Sequence, residues 1–127
     1  MTTKRILEDK NILITGGAGT VGAKLIKELQ NRGNTVISCD LSHGENEIGI
    51  SLRTDVLYPN YIRCDVSEYR QIERVFKEFG PFDYVYHCAA EFGRWNGEDF
   101  YEKVWSSNAI GTKHIIRLQE KLKFKLI

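Results

Sequence analysis

The chain has 127 residues, of which 42% are hydrophobic and 28% are charged, and its formal net charge is +1. This length suits one domain with a sizeable core, and this composition is not that of an intrinsically disordered protein. The near-zero net charge gives no basic excess for binding nucleic acid or an anionic membrane. We therefore treat residues 1–127 as one domain and expect neither partner.

We expect neither a signal peptide at the N-terminus nor a membrane span in this sequence. Met1–Lys10 lacks the apolar core of a signal peptide, and no run approaches the length of a membrane span. The cysteines are odd in number, contain no Cys-x-x-Cys pair, and fall within or at the end of predicted strands: Cys39, Cys64 and Cys88. We interpret them as small reduced core residues of a cytoplasmic protein, and we assign no metal ligand.

The first recognisable element is the apolar run Asn11–Thr15, which predicts a strand buried on both faces. A glycine-rich stretch follows, in which Gly16, Gly19 and Gly22 fit Gly-x-x-Gly-x-x-Gly, and Gly17 allows the Gly-x-Gly-x-x-Gly form. The first glycines permit a tight turn with positive φ, the middle one permits close approach of a pyrophosphate, and the last packs the helix onto the strand. This pattern indicates a dinucleotide-phosphate loop; the alternative is a tight turn without a ligand.

The glycines open a helix that is predicted to end at Gly33. Its apolar face is expected to comprise Val21, Leu25, Ile26 and Leu29. The next strand, Thr35–Asp40, ends in an acidic residue eighteen positions after Gly22. This is the position of the residue that binds the ribose in dinucleotide-binding domains. A right-handed crossover is the rule for such a unit, so the two strands are expected to be parallel neighbours.

Leu41–Asn60 fits no single periodicity and is predicted to be a loop with a short helical turn. Within it, His43 either edges a nucleotide pocket or faces solvent. Tyr61–Asp65 is predicted as the third strand, and Ser67 as the N-cap of the helix that follows. Its core stripe is expected to contain Ile72, Val75, Phe76 and Phe79, and Gly80-Pro81 ends it.

Phe82–Cys88 is predicted as the fourth strand, and His87 within it as a hydrogen-bonded core histidine rather than a catalytic one. The small pair Ala89-Ala90 leaves room for a ligand just beyond the strand. Glu91–Gly97 is predicted to be a loop.

A long helix is predicted over Glu98–Lys121, in which Gly111 permits close packing on the sheet. Its inner face is expected to contain Tyr101, Val104, Trp105, Asn108, Gly111, Ile115 and Leu118. Lys123–Ile127 alternates lysine with apolar residues and predicts a fifth strand. As an exposed edge, that strand invites homodimerisation or edge-to-edge self-association.

Five segments occur in a characteristic order: TGGAGTVG, CDLS, CDVS, HCAAEFG and SSNAIGTKHII. Together they resemble the N-terminal half of an extended short-chain dehydrogenase/reductase, and more narrowly the NAD-dependent epimerase/dehydratase group that acts on nucleotide sugars. The alternating elements and this resemblance predict a truncated α/β fold. It is a Rossmann-like, doubly wound parallel sheet of about five strands in the order 3-2-1-4-5, with helices on both faces.

The resemblance implies a pyrophosphate site built from backbone N–H groups of Gly16, Gly19, Thr20, Val21 and Gly22. It further implies that Asp40 binds the adenosine ribose hydroxyls and that Asp65 binds the adenine amino group. Val66 would offer its backbone N–H, and Ala89 and Ala90 would line the nicotinamide ribose.

The resemblance also matches Asn108 to an asparagine on the helix behind the nicotinamide site, where it fixes backbone and relay geometry. NAD is favoured over NADP because a carboxylate at Asp40 would lie against a 2′-phosphate. Residues 41–44 supply no arginine or lysine to reverse that preference.

The family's catalytic serine or threonine and its Tyr-x-x-x-Lys pair cannot be found in this sequence, and neither can the substrate domain. No lysine stands four positions after any tyrosine: Tyr58, Tyr61, Tyr69, Tyr84, Tyr86 or Tyr101. We therefore assign no catalytic residue and predict the NAD-binding portion of a nucleotide-sugar epimerase or dehydratase, an oxidoreductase-type domain without turnover of its own.

Three origins stay open: part of a longer enzyme, a natural short NAD-binding protein, or a chain completed by another. The alternative functions are a non-catalytic NAD-sensing or interaction module and part of an NADPH-dependent reductase.

Overall fold

A computed structural model describes residues 7–41, 60–90 and 101–127. These residues contain a parallel five-stranded sheet in the order β3-β2-β1-β4-β5. Its strands are β1 Asn11–Thr15, β2 Thr35–Asp40, β3 Tyr61–Arg63, β4 Tyr84–His87 and β5 Lys125–Leu126. The predicted doubly wound sheet and its strand order are confirmed, with β1 at the centre where the order reverses.

Helical elements follow β1, β3 and β4 among the described residues, as the sequence predicts. They are α1 Thr20–Asn31, α2 Tyr69–Phe79, α3 Tyr101–Val104, a π-helical segment Trp105–Ile110, and α4 Gly111–Leu122. The end of α2 before Gly80-Pro81 is confirmed, and so is the left-handed residue Gly33 after α1, whose φ is 84°. Within the three described ranges, no helix is long and apolar enough to cross a membrane.

The alternation of β1 side chains divides the core into two layers. Ile12 and Ile14 are fully buried with Ile26 of α1 on one face of the sheet. Leu13 points to the other face, where it belongs to a cluster with Ile72 of α2 and Ile115 of α4. Helices therefore cover both faces, and the near-continuous apolar run of β1 is explained by burial on both sides.

Four residues expected in helix cores are exposed instead: Val21 (69%), Phe79 (42%), Tyr101 (64%) and Trp105 (64%). In α1, Ile26 and Leu29 are buried as predicted, Leu25 is half-buried, and Gly22 and Ala23 take the buried place expected for Val21. Phe79 is the last residue of α2, beyond its buried stripe. Tyr101 and Trp105 precede or enter the π-helical segment, whose wider turn breaks the phase of a 3.6-residue pattern.

Strand ends also differ from the prediction. β3 stops at Arg63 rather than Asp65, and β4 runs over Tyr84–His87 rather than Phe82–Cys88. The fifth strand pairs parallel to β4 over only Lys125–Leu126. His43, the loop 91–97 and the start of the predicted long helix lie outside the described residues.

The expected close approach at Gly111 is present, but its neighbour is a side chain of the β3–α2 connection rather than the sheet. A Cβ placed on Gly111 would lie 2.8 Å from Cγ2 of Val66. Valine is β-branched and stiff at χ1, so this neighbour does not move aside freely. Gly111 therefore lets the helical stretch 101–122 settle against the loop that follows β3.

We predict that Gly111→Ala destabilises the protein although alanine is the better helix former. The helix gain is about 1 kcal/mol, and overpacking costs about 1 to 3 kcal/mol. In a Val66→Ala background, where the obstructing methyl group is gone, the same substitution should be neutral or stabilising. Urea unfolding of the four variants measures both values, and an equal loss in both backgrounds would contradict the packing argument.

Candidate functional site

The glycine turn after β1 is wedged between two neighbouring strands. Gly16 has a φ of 74°, and the N–H groups of Gly16 and Gly17 both donate to the Cys39 carbonyl of β2, at 2.8 and 3.2 Å. On the other side, a Cβ on Gly16 would lie 2.7 Å from the backbone nitrogen of Ala89. The predicted positive φ is confirmed, and no other residue fits this space.

The last glycine of the motif packs the helix against the turn itself rather than onto the strand. A Cβ on Gly22 would overlap the carbonyl oxygen of Gly16. Gly19, by contrast, is exposed, and among the described residues the only atom near a Cβ there would be the Gly16 oxygen at 3.3 Å. The chain's own packing requires Gly16 and Gly22, whereas Gly19 keeps the outer side of the loop bare.

The first turn of α1 presents backbone N–H groups without partners of their own. Its N-cap, Gly19, makes no side-chain cap, and the first turn contains no acidic residue. The Ala23 N–H donates to the Gly19 carbonyl at 2.9 Å. Among the described residues, the N–H groups of Thr20, Val21 and Gly22 make no hydrogen bond. Such a helix end favours an anionic group.

Asp40 stands at the carboxyl end of β2 and is fixed by two backbone groups. Its Oδ2 accepts the Ala18 N–H at 2.9 Å, and its Oδ1 accepts the Leu41 N–H at 2.7 Å. The first of these bonds ties the glycine loop to β2 directly. Asp40, which the sequence predicts to bind the ribose, therefore also holds the glycine loop in place.

Asp65 follows β3 and is fixed by a local turn. Its Oδ1 accepts the Ser67 N–H at 2.9 Å and the Ser67 hydroxyl at 2.7 Å. The prediction that Ser67 caps α2 is wrong, because its hydroxyl serves Asp65 and the N-cap position is Glu68, without a side-chain cap. The Asp65 N–H donates to Gln71 Oε1 at 2.8 Å, which ties this turn to α2.

A pocket at the carboxyl ends of β2, β3 and β4 gathers predicted and unpredicted residues. It is lined by Asp40, Leu41, Cys64, Asp65, Val66, Ala89, Ala90 and Ser107. Five of these are predicted cofactor-binding residues: Asp40, Asp65, Val66, Ala89 and Ala90. The five predicted phosphate-loop residues form the turn and the adjoining helix start: Gly16, Gly19, Thr20, Val21 and Gly22.

Asn108 does not line this pocket; its neighbour Ser107 does. Asn108 is half-buried in the π-helical segment, and its carbonyl accepts the Thr112 hydroxyl at 2.7 Å. The sequence analysis also did not predict that Leu41 and Cys64 line the pocket. Each is the first residue after a strand, β2 and β3 respectively, and such pockets form at strand ends. The sequence contains no signal that Ser107 lines the pocket, because hydrophobic periodicity does not reveal a π-helical segment.

His87 is hydrogen-bonded through both ring nitrogens, as predicted for a core histidine. Nδ1 lies 2.7 Å from the Thr15 hydroxyl oxygen, and Nε2 lies 3.0 Å from that of Thr112. Thr15 Oγ1 also accepts the Ala89 N–H at 3.2 Å. Burial lowers the pKa of His87, which favours the neutral ring.

The three cysteines are unpaired, with Cys39 and Cys64 buried and Cys88 half-buried. A hydrogen bond to Cys64 together with burial raises the pKa of the Cys39 thiol, and burial raises that of Cys88. Both thiols are therefore weak nucleophiles. The described ranges contain no group of histidine, cysteine and carboxylate side chains that would hold a metal ion.

The sheet order and the glycine turn define a Rossmann-like domain. The model of the NAD dependent epimerase/dehydratase family matches residues 12–127, and the chain belongs to this family. A dTDP-glucose 4,6-dehydratase from Neisseria gonorrhoeae is 36% identical over 87 residues, which are 65% of this chain and 24% of that protein. A D-xylose 1-dehydrogenase from Caulobacter vibrioides is 27% identical over 112 residues, 87% of this chain and 45% of that protein.

Solved structures agree with this assignment. An epimerase from Methanothermobacter thermautotrophicus superposes with a TM-score of 0.73 at 32% identity, covering 92% of this chain and 33% of that one. The UDP-glucose 4-epimerase of Thermus thermophilus, solved in complex with NAD, gives 0.75 at 25% identity, covering 91% and 36%. The chain thus spans less than half the length of these relatives.

We predict that the glycines of the loop differ sharply in their tolerance of a methyl group. Gly22→Ala forces α1 away from the Gly16 carbonyl and should cost about 1 to 3 kcal/mol of unfolding free energy. Gly19→Ala adds its Cβ on the exposed side and should cost less than about 1 kcal/mol. Urea unfolding compares the two, and equal losses would mean that the close contact does not hold the turn.

Proposed function

We propose that this chain is the NAD-binding portion of an epimerase- or dehydratase-type oxidoreductase. The observation that supports this most directly is the meeting of five predicted cofactor residues in one pocket, at the carboxyl ends of β2, β3 and β4. This is where doubly wound sheets bind nucleotides. Membership of an NAD-dependent family supports the same cofactor.

The residues present fit a dinucleotide. The N–H groups of Thr20, Val21 and Gly22 would donate to the diphosphate, and the α1 dipole would favour its charge. Gly19 would permit close approach on the bare side of the loop. Ala89 and Ala90 present only methyl groups where the nicotinamide ribose would pass.

Asp40 would set the choice between NAD and NADP. Its two backbone hydrogen bonds leave further lone pairs for the ribose hydroxyls of NAD. A 2′-phosphate would bring a second negative charge to a carboxylate that cannot swing away, because both of its oxygens are held. We therefore propose that the chain selects NAD.

Bound NAD would supply hydride transfer at the nicotinamide. The chain's own residues would bind and orient it, while proton transfer to the substrate would need residues outside this sequence, since no tyrosine here has a lysine four positions later. We propose a nucleotide sugar as the substrate of the whole enzyme, supported by relatives such as UDP-glucose 4-epimerase.

The unpaired cysteines favour a cytoplasmic location. Self-association through the exposed edge at β5 stays a prediction.

The direct test is the ratio of the NADP and NAD dissociation constants, measured by calorimetry. Wild type should bind NAD, and more tightly than NADP. Asp40→Asn should weaken the binding of NAD by about 1 to 3 kcal/mol, because a charge-assisted hydrogen bond is lost. It should also lower the ratio of the NADP to the NAD dissociation constant about tenfold, because the charge that repels the 2′-phosphate is gone. The ratio is the sharper readout, since any loss of fold affects both ligands equally.

Asp83→Asn is the matched control. Asp83 Oδ2 accepts the Asn11 N–H at 2.8 Å at the opposite, amino-terminal end of the sheet. This substitution removes a comparable carboxylate-to-backbone bond and should leave the ratio unchanged. An unchanged ratio in Asp40→Asn would remove Asp40 from the site, and a wild type that binds neither dinucleotide would overturn the proposed function.

A further inference from the structure

The hydrogen bonds around His87 have a defined direction. The Thr112 hydroxyl donates its single proton to the Asn108 carbonyl at 2.7 Å. Its oxygen must therefore accept from the group 3.0 Å away, His87 Nε2. The proton of a neutral ring is thus assigned to Nε2, and Nδ1 is left as an acceptor.

The other half of the chain of bonds follows from that assignment. The Thr15 hydroxyl, 2.7 Å from His87 Nδ1, donates its proton to that nitrogen. Its oxygen accepts the Ala89 N–H at 3.2 Å. Thr15 is fully buried, and with this arrangement each polar hydrogen in the series has an acceptor. We call the series Ala89, Thr15, His87, Thr112 and Asn108 the His87 relay.

Both ends of the His87 relay adjoin residues that line the pocket. Ala89 lines the pocket beyond β4, and Ser107, the residue before Asn108, lines it from the π-helical segment. The Cys88–Ala89 peptide is also pressed against Gly16, as the 2.7 Å approach to a Cβ there shows. The relay therefore joins the phosphate turn, the end of β4 and the helical wall.

The π-helical segment and the relay meet at the same backbone. The Gly111 N–H donates to the Ser106 carbonyl, which is five residues back. The Thr112 side chain then bonds the carbonyl four residues back, at Asn108. Hydroxyl bonds of this kind locally reshape helices, and π-helical turns often accompany functional sites. The relay thus ends where the helix departs from α geometry.

We propose that His87 is a positioning residue for the proposed NAD site, and that its Nε2–H tautomer sets the spacing between the Ala89-Ala90 wall and the Ser107 wall. The inference rests on the proposed function. His87 itself is not among the lining residues of the pocket, so its effect on binding is indirect.

The test replaces Thr15, which carries the relay but does not line the pocket. Thr15→Val keeps the side-chain shape without the hydroxyl, and Thr15→Ser keeps the hydroxyl. Thr15→Val should weaken NAD about threefold to tenfold, the effect of losing a hydrogen bond that positions the site. The dissociation constant of Thr15→Ser for NAD should stay within about twofold of the wild-type value.

Nitrogen-15 NMR of the histidine rings supplies a readout that a purely structural role would not move. Wild type should show His87 protonated at Nε2. Thr15→Val should keep the proton on Nε2, because the bond between Thr112 and Asn108 is intact, but should shift the resonance of Nδ1, which has lost its hydrogen-bond donor. Should Thr15→Val fail to fold, Thr112→Val with Thr112→Ser as its control tests the other end, at a half-buried position. The same loss and rescue of NAD affinity are expected.

The outcomes separate the two proposals. A wild type that does not bind NAD overturns the proposed function and this inference together. A wild type that binds NAD, with valine variants that melt at lower temperature but bind NAD equally well, overturns the inference alone. Protonation of His87 at Nδ1 in the wild type overturns it as well.

Discussion

The contact between the first turn of α1 and the glycine turn is the constraint on which the site depends. Gly22 lies so close to the Gly16 carbonyl that no side chain fits between them. This contact brings the helix start to the carboxyl end of β1, where the N–H groups of Thr20, Val21 and Gly22 make no hydrogen bond among the described residues. Asp40 then fixes the same loop from β2 through the Ala18 N–H. Packing and the proposed recognition of the cofactor thus involve the same loop.

Thr15 and Gly16 extend this arrangement to β4. The Thr15 carbonyl accepts the Cys88 N–H at 3.1 Å, and its hydroxyl accepts the Ala89 N–H at 3.2 Å. Two successive backbone groups of the β4 end are therefore held by one residue of β1. The strand order reverses at β1, and the helices that follow β1 and β4 pack on opposite faces of the sheet, which leaves a crevice at the carboxyl ends of these strands.

The fold was largely predictable because its signals are local. The burial of β1 on both faces, the strand Thr35–Asp40 and the left-handed Gly33 all follow from short patterns. Candidate site residues were predictable where they end or closely follow a strand: Asp40 ends β2, and Ala89 lies two residues after β4. The exposure of Trp105 and the lining role of Ser107 were not predictable, because a π-helical segment changes which side chains share a face and has no periodic signal in the sequence. The relay partners of His87 are distant in sequence and leave no periodic signal.

The most direct measurement is a titration of the isotope-labelled chain with NAD, followed by backbone amide NMR. The largest shifts should fall on the amides of Thr20, Val21 and Gly22, with further shifts at Leu41 and Ala89. Amides in the second half of α4, distant from the pocket, should stay in place. Shifts confined to the surface of α2 and α4, or none at millimolar NAD, would contradict the claim that the uncapped start of α1 is the phosphate site.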